Sequence, residues 1–207
     1  MDHAHDILQF WFGRKPYTVA RFNERMNFWF GGSDSRETLA EKDNEIRQRF
    51  GTAIEQAAAG ALNSWADSPK RRLALIILLD QFPRNVYRGT AQAYAADARA
   101  ATLALEGLHT AADATLAPVE RIFFYMPLQH AESLELQDES VAATRRLLTE
   151  VPKGMAKSFG SLLRFAELHR TIIAEFGRFP HRNTMLGRQS TPEELKFLRD
   201  GGPRFGS

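Results

Sequence analysis

Residues 71–82, RRLALIILLDQF, carry seven consecutive apolar side chains and then an aspartate. Ser68 and Pro69 ahead of them are a helix start signal, a capping hydroxyl followed by proline in the first turn. A helix that is apolar nearly all round belongs at the centre of a fold, so the rest of the chain has to wrap this one. Asp80 is then a problem, because an isolated buried carboxylate costs at least several kcal/mol unless it is paired or protonated. A cation must meet it. Arg84 and Arg88 are near in sequence, and Pro83 is expected to end the helix and bend the chain between them. A base could also come from residues 179–183, FPHRN, which echo FPRN at 82–85. Asp80 is either half of an ion pair locking two helices or a charge held for ligand binding or proton transfer.

Helical periodicity dominates elsewhere and no alternating strand is convincing, which makes the chain all-α. A short helix is expected over 6–12, with Ile7, Phe10 and Trp11 on one face. Residues 13–34 read as irregular, broken by Pro16 and Gly31-Gly32, with Phe28, Trp29 and Phe30 as an anchor into the core. Ser35 caps a helix whose stripe is Leu39, Ile46, Phe50 and Ile54 and whose stop is Gly60; Trp65 is a second anchor. Further helices are expected over 90–106, stopping at Gly107, over 118–125, and, after a break at Pro127, over 128–150. The last long helix spans 155–176 with Gly177 as its stop, and Thr191-Pro192-Glu193-Glu194 opens a short terminal one. At 207 residues the chain reads as one helical domain, 1–207, of antiparallel helix pairs joined by short connections.

Composition excludes more than it assigns. With no cysteine, disulfides, thiolate metal sites and cysteine nucleophiles are ruled out, and a cytoplasmic setting is the default. No export or membrane segment is visible. The 27 bases stand against 25 acids, which makes nucleic acid an unlikely partner. No metal or cofactor is expected: HExxH, EF-hand and glycine-rich phosphate loops are missing, as is a G-x-S-x-G elbow. His130 and Glu132 would stand about 200° apart on a helix and could not share an ion.

Two histidines look inward. His169 lies on the stripe Leu162, Phe165, His169, Ile172, Phe176, and His130 on a stripe with Leu134, Gln137, Val141 and Leu148. Each is either a satisfied core residue or a candidate general base. Residues 178–192, RFPHRNTMLGRQSTP, hold three arginines and a histidine with no acid. Gly177 and Gly187 allow the backbone to turn back, so Arg178, His181, Arg182 and Arg188 can converge as a receptor for carboxylate or phosphate. Alternatively they hold the loop down by pairing with Asp80, Glu132, Glu167 or Glu175.

Three blocks, LALIILLDQFPRNVYRGT at 73–90, FYMPLQHAE at 124–132 and FGRFPHRNTMLGRQSTPEEL at 176–195, resemble the signature of a largely bacterial family, domain of unknown function 924. ILQFWFG at 7–13 and Trp65 fit it as well, so the resemblance covers almost the whole chain. It implies an all-helical fold similar to the tetratricopeptide-repeat-like superhelix, and no reaction. Carried onto this sequence, the resemblance supplies Asp80, Gln81, Arg84, Arg88, Gln129, His130, Glu132, His169, Arg178, His181, Arg182, Asn183 and Arg188. Ala131 departs from a serine, removing a hydroxyl from the expected pocket, and Tyr94 from a phenylalanine. The leading expectation is a cytoplasmic protein that binds a small anion or an acidic peptide end in an internal pocket. The alternatives are an enzyme using His130 or His169 as general acid or base, and an ion-pair network with no ligand.

Overall fold

A computed structural model of the chain describes residues 3–30 and 36–205. Every regular element among them is helical and none is a strand, in line with the all-α expectation. Gly31, Gly32 and Ser35, read above as a break and a cap, lie outside the described residues. Helix α1 is His3–Phe12, and α2, Val19–Phe30, occupies a stretch expected to be irregular. The spacing of Phe22, Met26 and Trp29 explains it. These residues form a 4,3 stripe that the polar residues between them mask, and Phe22 and Trp29 are buried. Trp29 is the anchor it was read to be, its Nε1–H donating to the Trp11 carbonyl at 2.8 Å.

Helix α3, Arg36–Ala58, buries Ile46, Phe50 and Ile54. Helix α4, Pro69–Ile76, begins at Ser68 and Pro69 as expected, though the serine hydroxyl makes no capping bond. Pro83 does not end the helical run. The chain passes through one π turn, Ile77–Gln81, into α5, Phe82–Val86, and Phe82 N–H donates to the Ile77 carbonyl five residues back. Proline normally collides with the carbonyl four residues earlier, and the wider turn lets the chain continue as helix. All of residues 73–83 are buried, so this is the central segment the sequence demanded.

The alanine-rich stretch splits into a 3-10 turn, Ala91–Tyr94, and α6, Asp97–His109. Gly107 lies inside α6 rather than ending it. A Cβ there would run into the Phe124 ring and the Arg72 side chain, so the glycine marks a close helix approach. Helix α7, Pro118–His130, runs unbroken through Pro127, and its nearly continuous burial offsets the missing hydrogen bond. The break falls later, at 131–133, where Ala131 is extended and Ser133 caps α8, Leu134–Glu150. Helix α9, Ala156–Phe176, stops at Gly177 in the left-handed conformation, φ 69°. Thr191 and Glu194 form a capping box for α10, Pro192–Arg199.

Helix α8 packs between α7 and α9, and α6 packs on α7. The main core is aromatic, with Trp11, Phe12, Phe82 and Phe123 in edge-to-face contacts at centroid distances of 5.4–5.6 Å for Trp11–Phe123, Trp11–Phe82 and Phe12–Phe123. A small satellite of Ile172, Ile173 and Phe179 sits under the C-terminal loop.

Candidate functional site

A cavity of about 600 Å³ opens between α2, α3, the π turn and α5, α7, α8, α9 and the loop after α9. Its walls are apolar over much of their extent, with Met26, Trp29, Leu39, Ile122, Leu147 and Leu162 among them. One end is polar and is built on the π turn. The extra residue of that turn holds Asp80 and Gln81 within the buried run, where Asp80 is 0% exposed.

Asp80 Oδ1 stands 2.8 Å from His130 Nδ1 and 3.1 Å from an Arg84 amine. Burial alone would raise this carboxyl, but Arg84 and His130 outweigh it and hold the group well below the usual carboxylate range. Arg84 therefore supplies the required cation from the same segment, and its other amine donates to Asp97 Oδ2 at 2.8 Å. Arg182 arrives from the late loop and meets the same Asp97 oxygen at 3.3 Å and the His130 carbonyl at 3.0 Å. Its guanidinium lies over the Tyr94 and Phe179 rings, at 4.7 and 4.4 Å from their centroids. Arg182 Nε is buried and makes no hydrogen bond.

Burial, and then Arg84, lowers the His130 imidazole, so it is neutral at pH 7 beside an ionised Asp80. Its Nδ1 must then carry the proton donated to Asp80, which leaves the Nε2 lone pair toward the cavity. His169 is 4% exposed, and burial pushes it down to about 3. Its Nδ1 donates to the Phe165 carbonyl at 2.7 Å, leaving a second Nε2 lone pair. The two rings are 6.3 Å apart between centroids. His181, lowered to about 4 by burial and then by Arg182, has a buried Nδ1 without a partner. Phe205 stacks on His169 with centroids 3.6 Å apart.

The structure thus gathers Arg84, Arg88, Gln129, His130, His169, His181 and Arg182 around one cavity, with Asp80 buried behind its wall and paired to His130 and Arg84. Arg88 points to its edge and pairs with Asp43 at 3.1 Å. His130 gets there as the last residue of α7, not on an α8 stripe with Leu134 and Gln137. Phe165, read as inward, is 53% exposed at the rim.

Glu132, Arg178, Asn183 and Arg188 are elsewhere. Arg188 forks onto Glu132 at 2.6 and 2.9 Å, and Glu132 also accepts from Phe179 N–H at 2.8 Å. Arg178 forks onto Glu194 at 2.6 and 2.9 Å, and Asn183 joins both groups through Glu194 and Arg188 at 3.0 Å each. These four residues hold the loop down instead of converging on a ligand. Although 131–133 is not helical, His130 turns to Asp80 and Glu132 to Arg188, and no metal-holding group occurs among the described residues.

Asp97 was not anticipated, because an acid in the first turn of a helix is an ordinary surface feature. The walls from α2 and α3 were also missed, since α2 was not seen as a helix. A second, more open depression of about 470 Å³ lies between α1, α2 and α3, lined in part by Asp6, Arg25, Glu45 and Arg49. It gathers none of the candidate residues.

Fold and site together define an all-helical protein whose internal cavity is headed by an aspartate–histidine pair and two arginines. The chain belongs to the family described as bacterial protein of unknown function (DUF924), which matches residues 7–202. It is similar to the solved structure of the protein of unknown function ATU0120 from Agrobacterium tumefaciens, at 36% identity and a TM-score of 0.78. That alignment covers 96% of this chain and 98% of the other. No curated protein matches it.

Proposed function

We propose that the cavity binds a small ligand with an anionic head and an apolar body, either a free anion or the carboxylate end of a peptide. The observation that carries this reading is the meeting of apolar walls with Arg84, Arg182 and two histidine lone pairs in one space of about 600 Å³. Sites of that size and make-up suit small molecules. Arg182 Nε is a buried donor with nothing to donate to, and a ligand oxygen would satisfy it. In this reading the protein is a single cytoplasmic domain, and its successive hairpins form a tetratricopeptide-like superhelix around the pocket. No helix among the described residues is long and apolar enough to cross a membrane.

Thermal-shift and calorimetric screening with carboxylates, phosphates and C-terminal peptides tests the reading. At least one class is expected to bind the wild type and to lose at least about tenfold in affinity in Arg182→Met, which keeps the apolar stem. If nothing binds, the polar cluster serves only to pin helices together.

A second reading, an enzyme, is favoured by one specific observation. An ionised, fully buried carboxylate fixes the His130 tautomer and leaves its Nε2 lone pair toward the cavity, the arrangement a general base requires. A substrate screen with His130→Gln as the control separates the two: turnover lost with the fold intact makes the protein a catalyst. The arginine-rich loop gives little support to nucleic-acid binding, since Glu132, Glu194 and Asp97 occupy its guanidinium groups.

A further inference from the structure

We infer that the ligand of this cavity is an apolar-bodied monocarboxylate, and that its negative charge enters together with a proton taken up on His130 Nε2. This rests on the binding reading above and adds the ligand's charge and a coupled proton. At the polar end Asp80 and Asp97 are already matched by Arg84 and Arg182, because Arg84 touches both carboxylates and Arg182 touches Asp97. With neutral histidines this head carries no net charge. A further anion would bring an unmatched charge into a buried site, at a cost of several kcal/mol.

The groups facing His130 come from every neighbouring element: Asp80 and Arg84 from the π turn and α5, Asp97 from α6, His169 from α9, and Arg182 from the late loop. His181 lies beyond, near His169, with Glu132, Arg188 and Arg204 around it. Of these, the imidazoles are the groups that change charge near neutral pH. His130 is the one whose second nitrogen already donates to an ionised carboxylate, so an imidazolium formed there stays paired. His169 donates instead to a neutral carbonyl, and its charged neighbour is Arg182. Without ligand, burial and Arg84 keep His130 neutral. A carboxylate arriving beside Nε2 reverses that balance.

The step balances simply. One ligand carboxylate and one proton enter: the N–H bond forms at Nε2 as the bond to that proton breaks in a buffer acid, which stays in solution as its conjugate base, and no bond of the ligand changes. A single proton matches a monoanion and leaves a dianion one charge over. The apolar walls, which include Met26, Trp29, Ile122 and Leu162, would take the remainder of the molecule.

Calorimetric titration of the full chain with octanoate at pH 7.5, repeated in buffers of low and high ionisation enthalpy, tests this. The expected result is a linear dependence with a slope of about one proton taken up, and an affinity that falls about tenfold between pH 7.5 and 8.5. His130→Gln keeps an amide donor toward Asp80 and is expected to abolish the slope and weaken octanoate at least about tenfold; His169→Gln is expected to keep the slope. Octanoate binding with zero slope overturns the proton and leaves the binding reading standing. Binding of hexyl phosphate or octylamine in preference to octanoate overturns the ligand class. No binding of any of the three overturns the binding reading itself. A slope lost in His169→Gln reassigns the proton and overturns its placement on His130, and this arm decides even if His130→Gln fails to fold.

Discussion

Asp80 is tolerable among leucines and isoleucines because three side chains spend their polar atoms on it: Arg84, His130 and Gln81. Removing its charge leaves a guanidinium inside with only Asp97 to answer it. Asp80→Asn is therefore expected to cost about 3 kcal/mol, the lower end for breaking a buried pair, because Asp97 still holds Arg84. Urea unfolding of the two proteins measures this, and a loss under about 1 kcal/mol would mean the pair is solvated. At this scale the sequence was informative about which residues turn inward and silent about which meet. The apolar run exposes Asp80 as an anomaly, and the 3,4 spacing puts His169 on a buried face. Nothing local says that Asp97 lies between Arg84 and Arg182, which are 98 positions apart in the chain. The same blindness let Arg178 and Arg188 look like receptor groups, when Glu194 and Glu132 reach them across 16 and 56 residues.

Elements were legible where a start or stop signal coincides with an exposed end, as at Gly177 and at the Thr191 capping box. They were illegible where burial overrides a local breaker. Pro83 and Pro127 both sit in continuous buried helical runs, Pro83 because the π turn before it gives the ring room and Pro127 because the surrounding burial outweighs a cost of ~3 kcal/mol. Gly107 reads as a stop for a similar reason: a glycine needed for close packing looks the same in sequence as one needed for a turn. Substitution tells the two uses apart. Gly107→Ala is expected to destabilise by about 1–3 kcal/mol despite alanine's better helix propensity, since the new methyl meets Phe124 and Arg72. Gly51→Ala, in the interior of α3 with open space around it, is expected to stabilise by ~0.5–1 kcal/mol. Thermal melts of both variants check the pair. Equal effects of the same sign would show that α6 and α7 are not as close as Gly107 requires.

For the whole molecule, the near balance of 27 bases and 25 acids means that pH acts on stability through a few buried groups more than through net charge. His169 and His181 are held at about 3 and about 4, against an ordinary 6.5. Between those values the unfolded chain binds protons that the folded chain refuses, so stability rises with pH across the window. It is fully present above pH 6.5 and is lost as the solution is acidified toward pH 4 and below. Each histidine contributes a slope of ~1.4 kcal/mol per pH unit while it is neutral folded and charged unfolded. His130, also lowered, acts in the same direction. Asp80, Glu132 and Glu194 are likewise held below their ordinary values, so their contribution has the same sign but is lost only under more acid conditions, below about pH 4.5. From pH 6.5 down to 4.5 the histidines therefore set the slope. A series of urea unfolding curves across this range is expected to show a steady loss of stability, and His169→Gln is expected to flatten it by one histidine's share. A stability independent of pH over the same interval would mean that the inner imidazoles are hydrated, and that the chamber they line is open water and not a desolvated site.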